Sequence, residues 1–480
     1  MLFRSYLPGA KIVRAFNAIG YAKMAAASAN SEKIGMPMAG DDANAISVVS
    51  GLVREVGYEP VLVGTLGLLD GAGNGSAALV VLAGVLVSGV QRPLNKEYYV
   101  LLNLLAVSAY GFFLSLDAFV MFLFLELAVL PKYLLIVLWG SGKKEYSANK
   151  LVLMLMAASA MIWIGLLGIY YGLNGTERTF DLVRLSTINL SPETQRFFFP
   201  FLFLGFGVFT AIFPFHTWVP DGHSSAPTAG SMFLAGISMK LGGYGCLRVA
   251  VWLMPDAARE YSPYIIILSA IAILYGAFAT MMQKDLKYMN AYSSISHCGF
   301  VLLGTGMLTH TAINGAVVQM VSHGLMTALF FAVIGMVYAR THTRMIGEMS
   351  GLMRSLPFIM TVFFLSGLCS LGLPGLSGFV AEMTVFMGSW EHPDLFHRAA
   401  TVTACLSIVV TAVYILRATG QVAMGPASGA ASSFSDASWN EKAASVLLLG
   451  GIFAIGLMPS WLNALIEPSI TVMSTRLGIR

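Results

Sequence analysis

The chain has 480 residues, of which 57% are hydrophobic and only 11% charged, against about 25% charged in a soluble globular domain. With a mean hydropathy of +0.75, too little polar surface is left to cover a water-soluble fold. The formal charge of +4 is too small to suggest a nucleic-acid partner.

Residues 1–65 do not share the membrane pattern. Lys11 to Ile19 reads as a strand and turn, Glu32 to Ala39 as a second strand, Asp42 to Val56 as a helix, and Glu59 to Val63 as a third strand. Strand, helix and strand within some thirty residues form an α/β unit. The phrase Val13-Arg-Ala-Phe-Asn-Ala-Ile-Gly20, followed by Ala39-Gly-Asp-Asp42, resembles the distal part of the dinucleotide-binding domain of NADPH-dependent F420 reductases. The Gly-rich turn that would receive a pyrophosphate is missing, so no nucleotide binding is expected. The only glycine cluster, Gly71-Ala-Gly-Asn-Gly75, reads as part of a flexible linker over 66–76. Nothing at the N-terminus has the layout of a cleavable signal peptide.

Apolar runs of roughly 18 residues or more, long enough to cross a ~30 Å hydrocarbon layer as helices, begin near residue 77. Spanning helices are expected over 77–93, 97–115, 117–139, 149–172, 196–214, 228–252, 262–282, 290–309, 312–339, 357–390 (broken), 397–418 and 442–465. Basic residues favour one set of connections, with Arg92, Lys96, Lys143, Lys144, Lys150, Lys284, Lys287, Arg340, Arg344 and Arg354, which places that set in the cytoplasm. Residues 1–76 then fall outside, where such a fragment has no evident use, and a gene-fusion remnant or a chimeric gene is expected. Cys246, Cys298, Cys369 and Cys405 are far apart and lack metal-ligand spacing, so no metal or cofactor is expected in the chain.

Several ionisable residues stand out inside these runs. A charge at mid-membrane costs about 2.5–3.5 kcal/mol on insertion scales, so each needs a partner, a wet path or a function. Glu126 lies in Phe122-Leu-Phe-Leu-Glu-Leu-Ala128, and Lys240 lies among small residues in Ala235-Gly-Ile-Ser-Met-Lys-Leu-Gly-Gly243. His323, in Val321-Ser-His-Gly324, belongs to the residue type that titrates near neutrality and suits a proton relay. Glu382 lies in Gly378-Phe-Val-Ala-Glu-Met383. Two helices are interrupted, one after Phe213-Pro-Phe-His-Thr-Trp-Val-Pro-Asp221 and one at Leu371-Gly-Leu-Pro-Gly-Leu-Ser-Gly378. Broken helices in matching positions of two halves are the sequence sign of inverted repeats around a mid-membrane ion path.

Over residues 77–470 these features resemble the antiporter-like subunits of respiratory complex I, the proton-pumping NADH:quinone oxidoreductase. The most specific phrases are Phe213-Pro-Phe-His-Thr-Trp-Val-Pro-Asp-Gly-His-Ser-Ser-Ala-Pro-Thr-Ala-Gly-Ser231 and Asp285-Leu-Lys-Tyr-Met-Asn-Ala-Tyr-Ser-Ser-Ile-Ser-His-Cys-Gly-Phe300. Glu382, where sister chains carry lysine, points to the chain-M (chain 4) branch. The resemblance implies an all-α polytopic membrane protein with inverted five-helix repeats and a small α/β fragment before it. It implies a multi-pass subunit of a bacterial or archaeal cell membrane whose partners are lipid, protons and other membrane and peripheral subunits. NADH, FMN, iron–sulfur and quinone chemistry would lie in those partners. Glu126, Lys240, His323 and Glu382 match the family's proton-path residues.

The family has fourteen helices where twelve are counted here, and the α/β fragment stands in place of the first two. The family also places a lysine where this chain has Phe209, while Lys132 stands six residues after Glu126. Six helical positions amount to about 9 Å of rise and roughly 120° of offset, and Pro131 can bend the helix. Lys132 is therefore a candidate replacement for the lost cation, with reach to the interface or to a neighbouring subunit as its alternative. Other readings of the chain are a subunit of a cation/proton antiporter or membrane-bound hydrogenase, and a structural subunit that does not pump.

Overall fold

The computed structural model describes residues 13–14, 35–40, 59–62 and 67–479, except 90–93, 174, 176 and 427–433. The chain divides into two units, Met1–Gly71 and Ala72–Arg480. In the first, β1 (Val13–Arg14), β2 (Gly35–Gly40) and β3 (Glu59–Leu62) form one sheet in that order. The β1–β2 pair is antiparallel and the β2–β3 pair parallel, with Gly35 opposite Glu59. A parallel pair needs a crossover, which agrees with the α/β pattern of the sequence. The helix expected over 42–56 lies outside the described residues.

The glycine-rich run expected as a linker is largely helical instead, because α1 spans Gly67–Ser88. In an apolar run every backbone group must find a partner within the chain, and a helix supplies one even through glycines that disfavour it in water.

The second unit is a bundle of helices, and among the described residues seven are long and apolar enough to cross a membrane. Ten spans fall into two sets of five. The first set holds α2 (Asn95–Leu114), α3 and α4 (Ala118–Leu127, Val129–Trp139), and α5 (Lys144–Gly172). After a short α6 (Leu182–Thr187) come α7 and α8 (Pro192–Thr210, Trp218–Ser225) and a composite helix. That helix runs through α9 (Thr228–Phe233), a π stretch (Leu234–Ser238), α10 (Met239–Gly245) and a second π stretch (Cys246–Val251). The second set holds α11 (Pro255–Met281), α12 (Leu286–Gly306), α13 (His310–Thr341), α14 and α15 (Pro357–Ser370, Ser377–Trp390), and α16 (Leu395–Ala423).

The two sets repeat each other upside down. In each, the second span starts on an aspartate N-cap that also closes a short β-bridge. Asp117 accepts from the N–H groups of Phe119 and Val120 at 2.9 and 3.0 Å and bridges to Asp181. Asp285 accepts from Lys287 and Tyr288 at 2.7 and 3.3 Å and bridges to Met345. In each set the fourth span is the broken one. The basic connections converge at one end, where Lys150 pairs with Asp221 at 2.7 Å and Arg344 with Asp285 at 3.2 Å.

α13, buried from Ala312 to Val337, is the central pillar, as expected of a helix apolar nearly all round. α17 (Trp439–Leu457) is tied to it by a two-pronged Arg340–Glu441 ion pair at 2.7 and 3.0 Å.

The last span expected from sequence, 442–465, needs correction. Helix α17 stops before Met458-Pro459, and α18 (Ser460–Leu477) is a separate helix. Glu467 meets His310 at 3.1 Å, and Arg476 donates to the carbonyls of Trp252 and Ile188 at 2.8 and 3.2 Å. α18 therefore lies across the end opposite the basic connections. A residue before proline is pushed out of the α region, and Met458 accordingly sits at φ −134°.

Candidate functional site

The site is assembled from three helix irregularities, each with a cause in the sequence. The first is the composite helix carrying Lys240, whose π stretches widen the backbone on both sides of α10. Gly236 faces Gly324 on α13. A Cβ on Gly236 would come within 3.1 Å of the Gly324 carbonyl, and one on Gly324 within 2.9 Å of the Gly236 carbonyl. Glycine at both positions lets the two helices approach closely enough for their polar side chains to meet. Lys240 Nζ accordingly stands 2.8 Å from His323 Nδ1 and also donates to the carbonyl of Ala235. An ammonium group only donates, so His323 Nδ1 is the acceptor, and its Nε2 has no hydrogen-bond partner.

The second irregularity is the break between α14 and α15. Gly372 sits at φ +76°, the left-handed region that glycine enters freely. A Cβ there would come 2.8 Å from Glu382 Oε2, so the break gives the carboxylate room as well as ending the helix. Glu382 Oε1 lies 3.2 Å from His297 Nδ1, and His297 Nε2 lies 3.0 Å from Ser370 Oγ. The rings of His297 and His323 stack with centroids 5.2 Å apart. Lys240, His323, His297 and Glu382 thus form one line drawn from four spans, with ring stacking as the link between the two histidines, and they are only 6, 1, 4 and 5% exposed. Gln319 and the hydroxyls of Ser293 and Tyr414 border it.

The third irregularity lies in the span of Glu126. Pro131 has no N–H to give the carbonyl of Leu127, and the helix is interrupted at Ala128, between α3 and α4. Glu126 is half-buried, and its Oε1 has no hydrogen-bond partner. Lys132 is 1% exposed, its Nζ is likewise unpartnered, and the ammonium lies 5.8 Å from the centre of the Phe209 ring. The bend thus brings the lysine of one helix over the position on α7 where the resemblance expects a lysine. Glu126 is close enough for its charge to act on Lys132.

Between the two groups stands His223, fully buried, with both ring nitrogens unpartnered and the rings of Trp218 and Phe331 edge-on to it. His223 is held by the break between α7 and α8, whose freed backbone is satisfied by protein, Trp218 Nε1 donating to the Val208 carbonyl at 3.0 Å. At the basic end a cavity of about 420 Å³ opens, lined in part by Tyr98, Thr228, Gly335, Arg344 and Lys287, whose Nζ donates to the Ala226 carbonyl at 2.6 Å.

One further cation lies beyond Lys240 on the same composite helix. Arg248 is fully buried, none of its guanidinium nitrogens has a hydrogen-bond partner, and the rings of Tyr244 and Trp252 lie 5.8 and 5.6 Å from it.

Of the residues singled out from sequence, Lys240, His323 and Glu382 come together in one line, while Glu126 and Lys132 form a second group beside Phe209. His297 and His223 were not singled out. Both stand inside the two most specific phrases of the chain, and His297 lies one heptad after Asn290 on a helix whose buried face is unusually polar. That periodic polar stripe was the available signal.

Comparison with known proteins agrees with this architecture. The profile of the NADH:quinone oxidoreductase/Mrp antiporter transmembrane family matches residues 115–407. NAD(P)H-quinone oxidoreductase chain 4 2 of Microcystis aeruginosa is 39% identical over 364 residues, covering 74% of this chain and 65% of that protein. The chain spans between 59 and 65% of the length of three such cyanobacterial relatives. Among solved structures, a chain of respiratory complex I from Thermus thermophilus with bound NADH has a TM-score of 0.80 at 24% identity, over 99% of this chain and 92% of that one. A chain of the Mrp complex from Dietzia sp. scores 0.73 at 18% identity, over 85% of each.

Proposed function

The chain belongs to the NADH:quinone oxidoreductase/Mrp antiporter transmembrane family, and on that premise we propose that it is a proton-translocating membrane subunit of an NADH:quinone oxidoreductase. It would be driven by electron transfer in partner subunits that carry the flavin, iron–sulfur and quinone chemistry. This chain's own residues hold and pass protons.

The observation that carries this reading is the buried line Lys240–His323–His297–Glu382. Two cations 2.8 Å apart would repel by about 6 kcal/mol even at an effective dielectric of ~20. Lys240 and His323 therefore hold one protonic charge between them, and a proton arriving at one leaves from the other. His323 faces His297, and His297 faces a carboxylate that accepts the proton. Each transfer separates little charge, because the departing proton leaves a neutral base rather than a buried anion.

The basic end is assigned to the cytoplasm by its excess of Lys and Arg. Protons reach Lys240 from there by way of the cavity at Lys287 and the imidazole of His223. On the far side, Arg248 is a fixed cation on the direct continuation of the Lys240 helix. A buried fixed charge of that sign opposes passage of a proton, so the outward route is the lateral one through His323.

Control comes from the Glu126–Lys132 group. We assign Lys132 the role of the cation that the fold otherwise places at Phe209. When Lys132 leans towards Glu126, the field at His223 and Lys240 falls and Lys240 takes up a proton. When it leans away, the field rises and the proton is pushed on. The strength of such coupling depends on the dryness of the site, and the aromatic walls around Lys132 and His223 keep it dry.

The test is gradient formation in sealed vesicles holding the assembly in sodium-free medium. NADH oxidation should acidify the far side. A gradient that forms only when sodium is added would assign the chain to cation/proton antiport instead.

A further inference from the structure

Outside the proton line, a second cluster of ionisable side chains lies in the connection between α15 and α16, at the end of the helix that carries Glu382. His392, Asp394 and His397 each offer one ligand atom, and these atoms all lie within 4.8 Å of one another. The two imidazoles stack with centroids 3.9 Å apart and planes 19° from parallel.

Each group is already fixed by a neighbour. His392 Nε2–H donates to the Met307 carbonyl at 2.7 Å, which leaves Nδ1 with its lone pair free. A histidine whose other N–H is anchored on a backbone carbonyl is the usual form of a metal ligand. His397 Nδ1 lies 2.7–2.8 Å from the carboxylate of Asp394. The Asp394 carboxylate also accepts from the His397 backbone N–H at 3.1 Å, which orients it at the start of α16. Arg398 lies over the Trp390 ring at 5.2 Å and donates through Nε to the His392 carbonyl at 3.3 Å.

We infer that His392, Asp394 and His397 form a binding site for a divalent cation of the zinc type, with water completing its shell. Ligand atoms on one tetrahedral zinc ion at about 2.0–2.2 Å stand about 3.3–3.6 Å apart, so the three side chains close the site by drawing their ligand atoms together by up to about 1.4 Å. Two nitrogens and one oxygen suit zinc, whereas magnesium and calcium prefer all-oxygen shells. The bound ion would tie the start of α16 to α15, and through His392 to the end of α12, the helix of His297. It would add a divalent charge at the end of the bundle towards which the proton line runs. An occupied site therefore brakes proton release; this second half rests on the proton reading given above.

The purified assembly, stripped with chelator, is titrated with zinc chloride without turnover. The native protein should bind one more zinc ion per chain than the double variant His392→Ala/His397→Ala, and Asp394→Asn should weaken binding at least tenfold. Unchanged helix content by circular dichroism shows that the variants are folded. Equal zinc stoichiometry and affinity in native and double variant would overturn the site, whatever the pumping activity. Zinc added to the outer face should slow proton release at least twofold in the native assembly and leave the double variant unaffected. Binding without slowing would overturn the brake.

Discussion

The ammonium of Lys132 lies 5.8 Å from the centre of the Phe209 ring, so a cation carried by one span occupies the space beside a residue on the span packed across from it. Lys132 is on α4 and Phe209 on α7, and the bend at Pro131 makes the overlap possible. Replacing Lys132 by methionine removes a buried cation without a hydrogen-bond partner and keeps its volume. Coupling between electron transfer and proton movement in this subunit should then be lost. Adding Phe209→Lys to that variant should restore it. Failure of the second substitution to recover proton movement, in an assembly that still forms, would show that Lys132 is not a relocated cation.

His297 is the only group that bridges the stacked imidazole of His323 and the carboxylate of Glu382 among the described residues. His297→Phe keeps the ring and removes both nitrogens. Electron transfer should continue at a reduced rate, while proton movement falls by a factor of about 10² or more, the contribution typical of a positioned proton-transfer group. A variant that moves protons at the native ratio would place the route elsewhere.

At Gly372 the expected effect is on stability and on the line together. Alanine there must adopt φ +76° and meets Glu382 Oε2 at 2.8 Å. Backbone strain of this kind costs about 1–3 kcal/mol, and the displaced carboxylate loses its 3.2 Å contact with His297. Thermal unfolding should shift down and proton movement should fall. Gly375, also at positive φ but where an added Cβ would come no nearer than 3.8 Å to another atom, is the control: alanine there should cost stability alone.

Arg248 stands fully buried with unpartnered nitrogens beyond Lys240. Arg248→Met should raise passive proton leak through resting vesicles, because the fixed charge on the direct route is gone, and should leave the Lys240–His323 contact intact. A leak no larger than in the native protein would remove the barrier role.

The physical reasons for what was legible in the sequence differ from one element to the next. Buried charges announce themselves in an apolar run, since Lys240, His323 and Glu382 are too costly there to be incidental, and the two helix breaks follow from local proline and glycine chemistry. The π stretches around Lys240 were not legible, because they are a change of hydrogen-bond register settled by packing against α13 and α7. The contact of Lys132 with Phe209 required the direction of a helix bend, which Pro131 permits without specifying. His297 was hidden by its setting: a histidine on a polar stripe reads as structural until the facing span delivers Glu382. The error at the C-terminal end had a local signal in Met458-Pro459, outweighed by apolar composition on both sides.

The central claim is that protons cross the membrane along Lys240, His323, His297 and Glu382. It is tested most directly by the number of protons moved per electron transferred in sealed vesicles holding the assembly with Lys240→Met, compared with the native protein. The account predicts a lower ratio in the variant, with the assembly intact and electron transfer still measurable. An unchanged ratio at full assembly would contradict it.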